Sequence, residues 1–143
     1  LLRWAASLHE IGLDIAHSQY HRHGEYIVRH ADIAGFSRQL QAALAALVRS
    51  HRRKLPLEVF DALPQRYRKR ILRLALLLRL AVLLHRGRGG ELGVRPRIHW
   101  QGGALRLMLP ADWLRSHPLT RADLAEEVGR LAVIGLDLRI EPS

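Results

Sequence analysis

Residues 9–30 read HEIGLDIAHSQYHRHGEYIVRH and hold five of the chain's nine histidines: His9, His17, His21, His23 and His30. His51, just past the next helical segment, makes a sixth of the group. Such density points to a metal site, a phosphate site or a polar seam between packed helices. Around it the pattern is helical. Leu1, Leu2, Ala5, Leu8 and Ile11 recur near one side of a helix over 1–11, with Gly12 placed as its C′ residue. His9 lies four residues after Ala5 and borders that apolar face. Downstream, Ser18 is expected to cap a helix running to about Ala31, whose Tyr20, Gly24, Ile27, Val28 and Ala31 follow the helical period. A glycine at position 24 costs about 1 kcal/mol against alanine in a helix interior. Close approach of a neighbouring helix is the expected compensation.

Further outward, Asp32–Gly35 is a turn and Ser37 caps a third helix with Leu40, Ala43, Leu44, Leu47, Val48 and His51 on one stripe. Phe36 is set to staple onto that stripe. The helix ends in His51-Arg52-Arg53-Lys54, cations suited to a helix C-terminus, and Pro56 enforces the stop. Pro56–Leu63 reads as a short helix. Pro64 starts a long one, Gln65–Arg86, with Arg66, Arg70 and Arg73 as a basic stripe on its first half. Ile71–Leu84 is broken by Arg73 and Arg79 and falls short of the roughly 18 residues a membrane span needs. It is a core helix.

Gly87–Gly93 (GRGGELG) is a link, after which the period changes to two. Arg97–Trp100 and Leu105–Leu109 flank Gln101-Gly102-Gly103, a hairpin signal. Trp113 and Leu114 fall in a helical turn after Pro110. Thr120 or a nearby residue is expected to cap a helix carrying Leu124, Val128, Leu131 and Ala132. Leu136, Leu138 and Ile140 then alternate with Asp137, Arg139 and Glu141 as a strand. The fold class is mainly α, with a helical domain over 1–90 and a small β-β-α-β unit over 94–143.

Composition narrows the chemistry. The chain has 143 residues, 48% of them hydrophobic, enough to bury a core. It has no cysteine, which excludes disulfides and thiolate catalysis. It opens inside a helix, without Met or a signal sequence, and is expected to be a fragment lacking its upstream part. The formal net charge is +10, and all basic residues except Lys54 and Lys69 are arginine. Arginine offers a planar fork of donors that matches phosphate oxygens, and so large an excess favours a polyanionic partner.

Four constellations could carry function, the stripe Arg66, Arg70 and Arg73 among them, which either faces a polyanion or keeps the start of the core helix soluble. His9-Glu10 is an imidazole–carboxylate pair of the kind that ligates a divalent metal, or a helix-end pair with local hydrogen bonds. His17, His21 and His23 could ligate a metal or donate to partners at a crowded helix junction; no H-E-x-x-H pattern accompanies them. Arg49, His51, Arg52, Arg53 and Lys54 form either an anion-binding rim or a solvated helix terminus. There is no Gly-rich phosphate loop and no G-x-S-x-G.

In order along the chain, LLRWAASLHEIGLDIAHSQYHRHGEYIVRHADIAGFS, LVRSHRRK, LLLRLAVLLHRGR and DWLRSHPLTRADLAEEVGRL resemble one part of the exopolyphosphatase/guanosine pentaphosphate phosphohydrolase (Ppx/GppA) family. The resemblance covers nearly the whole chain. It implies an HD-domain-like helical bundle followed by a small α/β domain. It also places the catalytic carboxylates, the Mg²⁺ site and the phosphate loops in two actin-like N-terminal domains that this stretch lacks. Cofactors in this stretch are therefore none, and catalytic residues none. HD hydrolases carry His-Asp where this chain has His9-Glu10, and relatives with an ADGLD-like core helix carry Asp where Val82 stands. An independent HD metal centre is thus not expected, and His9 and Glu10 read as its degenerate pair.

The expected role is an accessory domain that binds and guides inorganic polyphosphate or pppGpp through His21, Arg22, His23, Arg49, His51, Arg52 and Arg53. It would support a homodimer in a cytoplasmic or membrane-peripheral enzyme. Two alternatives stand beside it: an independently active HD-type metal phosphohydrolase, and a basic nucleic-acid-binding module. The latter is poorly served by an aromatic content of 6%.

Overall fold

In the computed structural model, which describes residues 1–86 and 92–143, the histidine-rich stretch lies across three elements. These are helix α1 (Leu2–Leu8), a 3-10 turn (Ile11–Asp14) and helix α2 (Tyr20–His30). Gly12 does not serve as a left-handed cap. It sits buried in the 3-10 turn, where a β-carbon would run into the Tyr20 carbonyl oxygen and stand 2.6 Å from Gly24 N. Ser18 does not cap α2 either. The cap position is taken by Gln19, at φ +53° and without a side-chain cap bond. Gly24 meets its expectation: a β-carbon there would lie 2.8 Å from Val48 Cγ1 and 3.5 Å from Ile11 Cγ2. The two glycines let the turn, α2 and the next helix close on one another.

That next helix is α3 (Arg38–Ser50), and Ser37 caps it as expected, its Oγ accepting from Leu40 N at 3.2 Å. Its buried run is Ala43–Val48, then Ser50 and His51. Leu40, placed on the apolar stripe by its spacing, is 48% exposed because the stripe meets neighbours only from Ala43 onward. Phe36 sets its ring edge-on to Trp4 of α1, centroids 5.9 Å apart. Gln41 ties α2 to α3, its amide nitrogen donating to Val28 O at 2.8 Å and Ala31 O at 2.6 Å.

A short helix, α4 (Glu58–Asp61), precedes α5 (Gln65–His85). Ile71, Ala75, Leu76, Leu78 and Leu80 of α5 are buried, as are Leu55, Phe60 and Leu63 before it. Arg66, Arg70 and Arg73 are exposed. Among the described residues no helix is long and apolar enough to cross a membrane.

The described residues group into two units, Leu1–Val82 and Leu83–Ser143. The Gly87–Gly93 link falls mostly on residues 87–91, outside the described residues. In the second unit, β1 (Arg97–Gln101) and β2 (Ala104–Leu109) pair antiparallel. Gly102 and Gly103 join them at φ +59° and +85°, the signs a type I′ hairpin turn requires. Two helices, α6 (Ala111–Ser116) and α7 (Pro118–Val133), lead to β3 (Leu138–Pro142), which lies parallel to β2 in the order β1-β2-β3. Leu105, Leu107, Leu109 and Leu138 fill the covered face of the sheet.

Two boundaries move from their expected places. Pro118 opens α7, where its missing N–H costs nothing. Thr120 is therefore a buried interior residue and not a cap. The buried face runs Thr120, Leu124, Glu127, Leu131, and Ala132 is exposed. Leu136 belongs to the helix end, not the strand. Its N–H donates to Leu131 O at 2.9 Å and that of Gly135 (φ +78°) to Ala132 O at 3.0 Å, the paired bonds of a Schellman cap. The fold is mainly α, closed by a small three-stranded tail.

Candidate functional site

The ends of three elements bring the histidines together in the first unit. His9 follows α1, Tyr20 and His21 open α2, and His51 follows α3. The His51 ring lies 5.0 Å from that of His9, 5.5 Å from Tyr20 and 6.5 Å from His21, centroid to centroid. His51 is 2% exposed and His21 6%.

Hydrogen bonds decide which ring nitrogens carry protons. His51 Nδ1 is 2.6 Å from Val48 O, so this nitrogen holds the proton and donates. Its Nε2 lone pair then faces the Tyr20 hydroxyl, which donates across 3.5 Å. His9 Nδ1 donates in the same way to Ala6 O at 2.7 Å. Its Nε2 stands 3.8 Å from the exposed Glu10 carboxylate. His21 Nδ1 is buried with no hydrogen-bond partner.

Burial keeps both inner rings neutral. The His51 pKa is lowered to about 3, chiefly because burial disfavours the imidazolium; the Val48 bond opposes this, and His9, His21 and Arg52 add to it. For His21 the value falls to about 4, again first through burial, then through the charges of Arg49, Arg52, Arg22 and Arg53. Four guanidinium groups therefore bear on one uncharged imidazole.

The guanidiniums are held differently. Glu25 pairs with Arg49 at 3.2 Å and with Arg29 at 2.8 Å. Arg49 itself has a lowered pKa, through burial and then Arg22, with Glu25 pulling the other way. Arg52 lies over the Tyr20 ring, 4.5 Å from its centroid, a cation–π contact. Arg22 and Arg53 are exposed. His23 lies two residues from His21 on the same helix, about 200° around it, and so does not share its buried face. His17 is exposed, its ring 6.1 Å from Tyr20, and His30 turns back onto Tyr26 O at 2.9 Å.

Among the described residues no group of three or more histidines or carboxylates is arranged to hold a metal ion. Glu25 is committed to two arginines, and Val82 offers no oxygen. What the arrangement does offer is a set of charge-assisted donors beside neutral imidazoles, the chemistry of a phosphate contact. Two contributors escaped the reading of the sequence. Its spacing puts Tyr20 on the apolar face, yet its hydroxyl serves His51. In residue order Arg79 is only an interruption of an apolar run. It is buried, and its guanidinium donates to Ser50 O and Arg53 O, each at 2.7 Å. A charge inside so apolar a segment was the available signal.

Residues 1–128 match the family described as Ppx/GppA phosphatase, domain III. Among similar proteins, the guanosine-5'-triphosphate,3'-diphosphate pyrophosphatase of Vibrio cholerae serotype O1 is 40% identical over 147 residues, covering 99% of this chain and 28% of the relative. That of Vibrio vulnificus is 38% identical over 142 residues, with coverages of 99% and 28%. That of Pseudoalteromonas atlantica is 34% identical over 137 residues, with coverages of 96% and 27%. The chain spans little more than a quarter of the length of these relatives.

Proposed function

We propose that this chain, which belongs to the Ppx/GppA phosphatase family, is the accessory third domain of a phosphatase that acts on pppGpp or inorganic polyphosphate. Hydrolysis would be carried by actin-like domains and Mg²⁺ outside this stretch. This domain would guide the anionic substrate and support a homodimer, in the cytoplasm or at a membrane surface. The named activity of the three relatives makes guanosine-5'-triphosphate,3'-diphosphate the first substrate to test.

One observation carries the reading. Arg22 and Arg53, both exposed, and Arg52, resting on the Tyr20 ring, lie with Arg49 near enough to His21 for their charges to bear on it. Guanidinium forks supply charge and paired donors to phosphate oxygens. His51 acts from behind, holding Tyr20, over which Arg52 rests.

The test is titration of this chain with pppGpp and with polyphosphates of increasing length, from 50 to 300 mM salt. Affinity for polyphosphate should fall steeply with salt and rise with chain length, since each neutralised phosphate releases counterions, by analogy with nucleic acid. Arg22→Ala, Arg52→Ala and Arg53→Ala should each weaken binding and flatten the salt dependence. Binding that ignores salt, or none at all, would defeat the guiding role. If polyphosphate failed to displace bound RNA or DNA, a nucleic-acid-binding module would be the better reading.

A further inference from the structure

We infer that Arg79, on the core helix α5 and outside the rim itself, is a positioning residue that sets the direction of the basic rim. Its two terminal nitrogens donate to Ser50 O and Arg53 O, both at 2.7 Å, so one buried guanidinium clamps the last residue of α3 and the residue three beyond it. The carbonyls at a helix C-terminus carry the negative end of its dipole and welcome a cation. A planar fork can serve two carbonyls at once, which a lysine ammonium cannot do in the same geometry.

The clamp acts on an unusual backbone. Arg53 has φ +61°, and among the described residues only Gln19 shares a positive φ without being glycine. A helix that merely needed to stop would place glycine there, at no steric cost. This chain keeps an arginine in the strained conformation and fixes the turn from the core. Arg52 is thereby delivered onto the Tyr20 ring and Arg53 to the surface. The inference rests on the phosphate-guiding function proposed above.

Arg79→Lys tests it, because the formal net charge stays at +10 and any loss must come from geometry. Polyphosphate would be titrated into wild type, Arg79→Lys, Arg53→Ala and the double variant over the same salt range, with circular dichroism confirming the helical fold. The slope of log affinity against log salt should fall by about one in Arg79→Lys. It should match Arg53→Ala, and the double variant should lose little more. A folded Arg79→Lys that keeps the wild-type slope, while Arg53→Ala lowers it, overturns the inference and leaves the proposed function standing.

If Arg79→Lys does not fold, Arg53→Gly against Arg53→Val decides. Both lack the charge, but glycine retains the left-handed turn and a β-branched residue abandons it. Weaker binding by Arg53→Val supports the clamp, and equal binding overturns it. Wild type without salt-dependent binding defeats the proposed function, and the inference with it, in the first arm alone.

Discussion

Acidification should destabilise the helical body well before its carboxylates titrate, and the two inner histidines give the size of the effect. His21 and His51 have folded pKa values lowered to about 4 and about 3, against 6.5 when unfolded. A base whose folded pKa is depressed binds its proton more readily in the unfolded chain. Stability is therefore fully present above pH 6.5 and is lost as pH falls toward the folded values. Between pH 6.5 and 5.0 the unfolded chain takes up a proton on each ring that the folded chain refuses. At about 1.36 kcal/mol per pH unit for each proton, each ring withdraws about 2 kcal/mol and the pair about 4 kcal/mol. The window ends at pH 5.0 because glutamates and aspartates begin to protonate below it. The assay is urea denaturation at pH 7.5 and 5.0 for wild type and His51→Asn. Asparagine keeps a donor for Val48 O in place of Nδ1–H but cannot titrate. Wild type should lose about 4 kcal/mol across the interval and His51→Asn about 2 kcal/mol. Equal losses in the two proteins, or a wild type equally stable at both pH values, would refute the claim that burial holds these rings neutral.

Gly12→Ala should cost about 3 kcal/mol or more, because the added methyl meets the Tyr20 carbonyl and not a movable side chain. A melting temperature lowered by roughly 10 °C is expected. Gly24→Ala should be milder, an overpacking cost of about 1–3 kcal/mol against Val48 Cγ1 offset by about 1 kcal/mol of helix propensity. Adding Val48→Ala should restore part of the deficit in a double-mutant cycle. Gln41→Glu turns three donated bonds into carboxylate–carbonyl repulsion at Val28, Arg29 and Ala31. Urea denaturation should show a loss of about 2–3 kcal/mol. Ser37→Ala removes the cap bond to Leu40 N and should cost about 1 kcal/mol by the same measurement.

Much of the helical body was legible in residue order. The Ser37 cap, the Pro64 start of the long helix and the crowding at Gly24 each follow from interactions within a few residues, or from one residue's intolerance of a Cβ. The Gly102-Gly103 hairpin was legible for the same reason, since two positive φ values select glycine. The misses share the opposite character. Gly12 carries a turn-like signature, but its role is set by Tyr20 and Gly24, which only the fold brings against it. Thr120 and Leu136 are plausible cap and strand residues in isolation; Pro118 and the Gly135 reversal move both boundaries.

The candidate site divides in the same way. The histidine cluster and the arginine run stand out in the sequence as composition. Which histidines meet, which are neutral and which nitrogens carry protons depend on burial and on carbonyls several residues away. Both His21 and His23 are expected at the phosphate contact, yet the helical period turns them to different sides. Arg79 shows the division most plainly: residue order marks it only as a charge within an apolar helix. Local periodicity and steric intolerance therefore determine the helices, the hairpin and the basic character of the chain. Only the packed structure decides that a buried guanidinium on α5 meets the end of α3, because that meeting depends on residues 26 and 29 positions apart closing on one another.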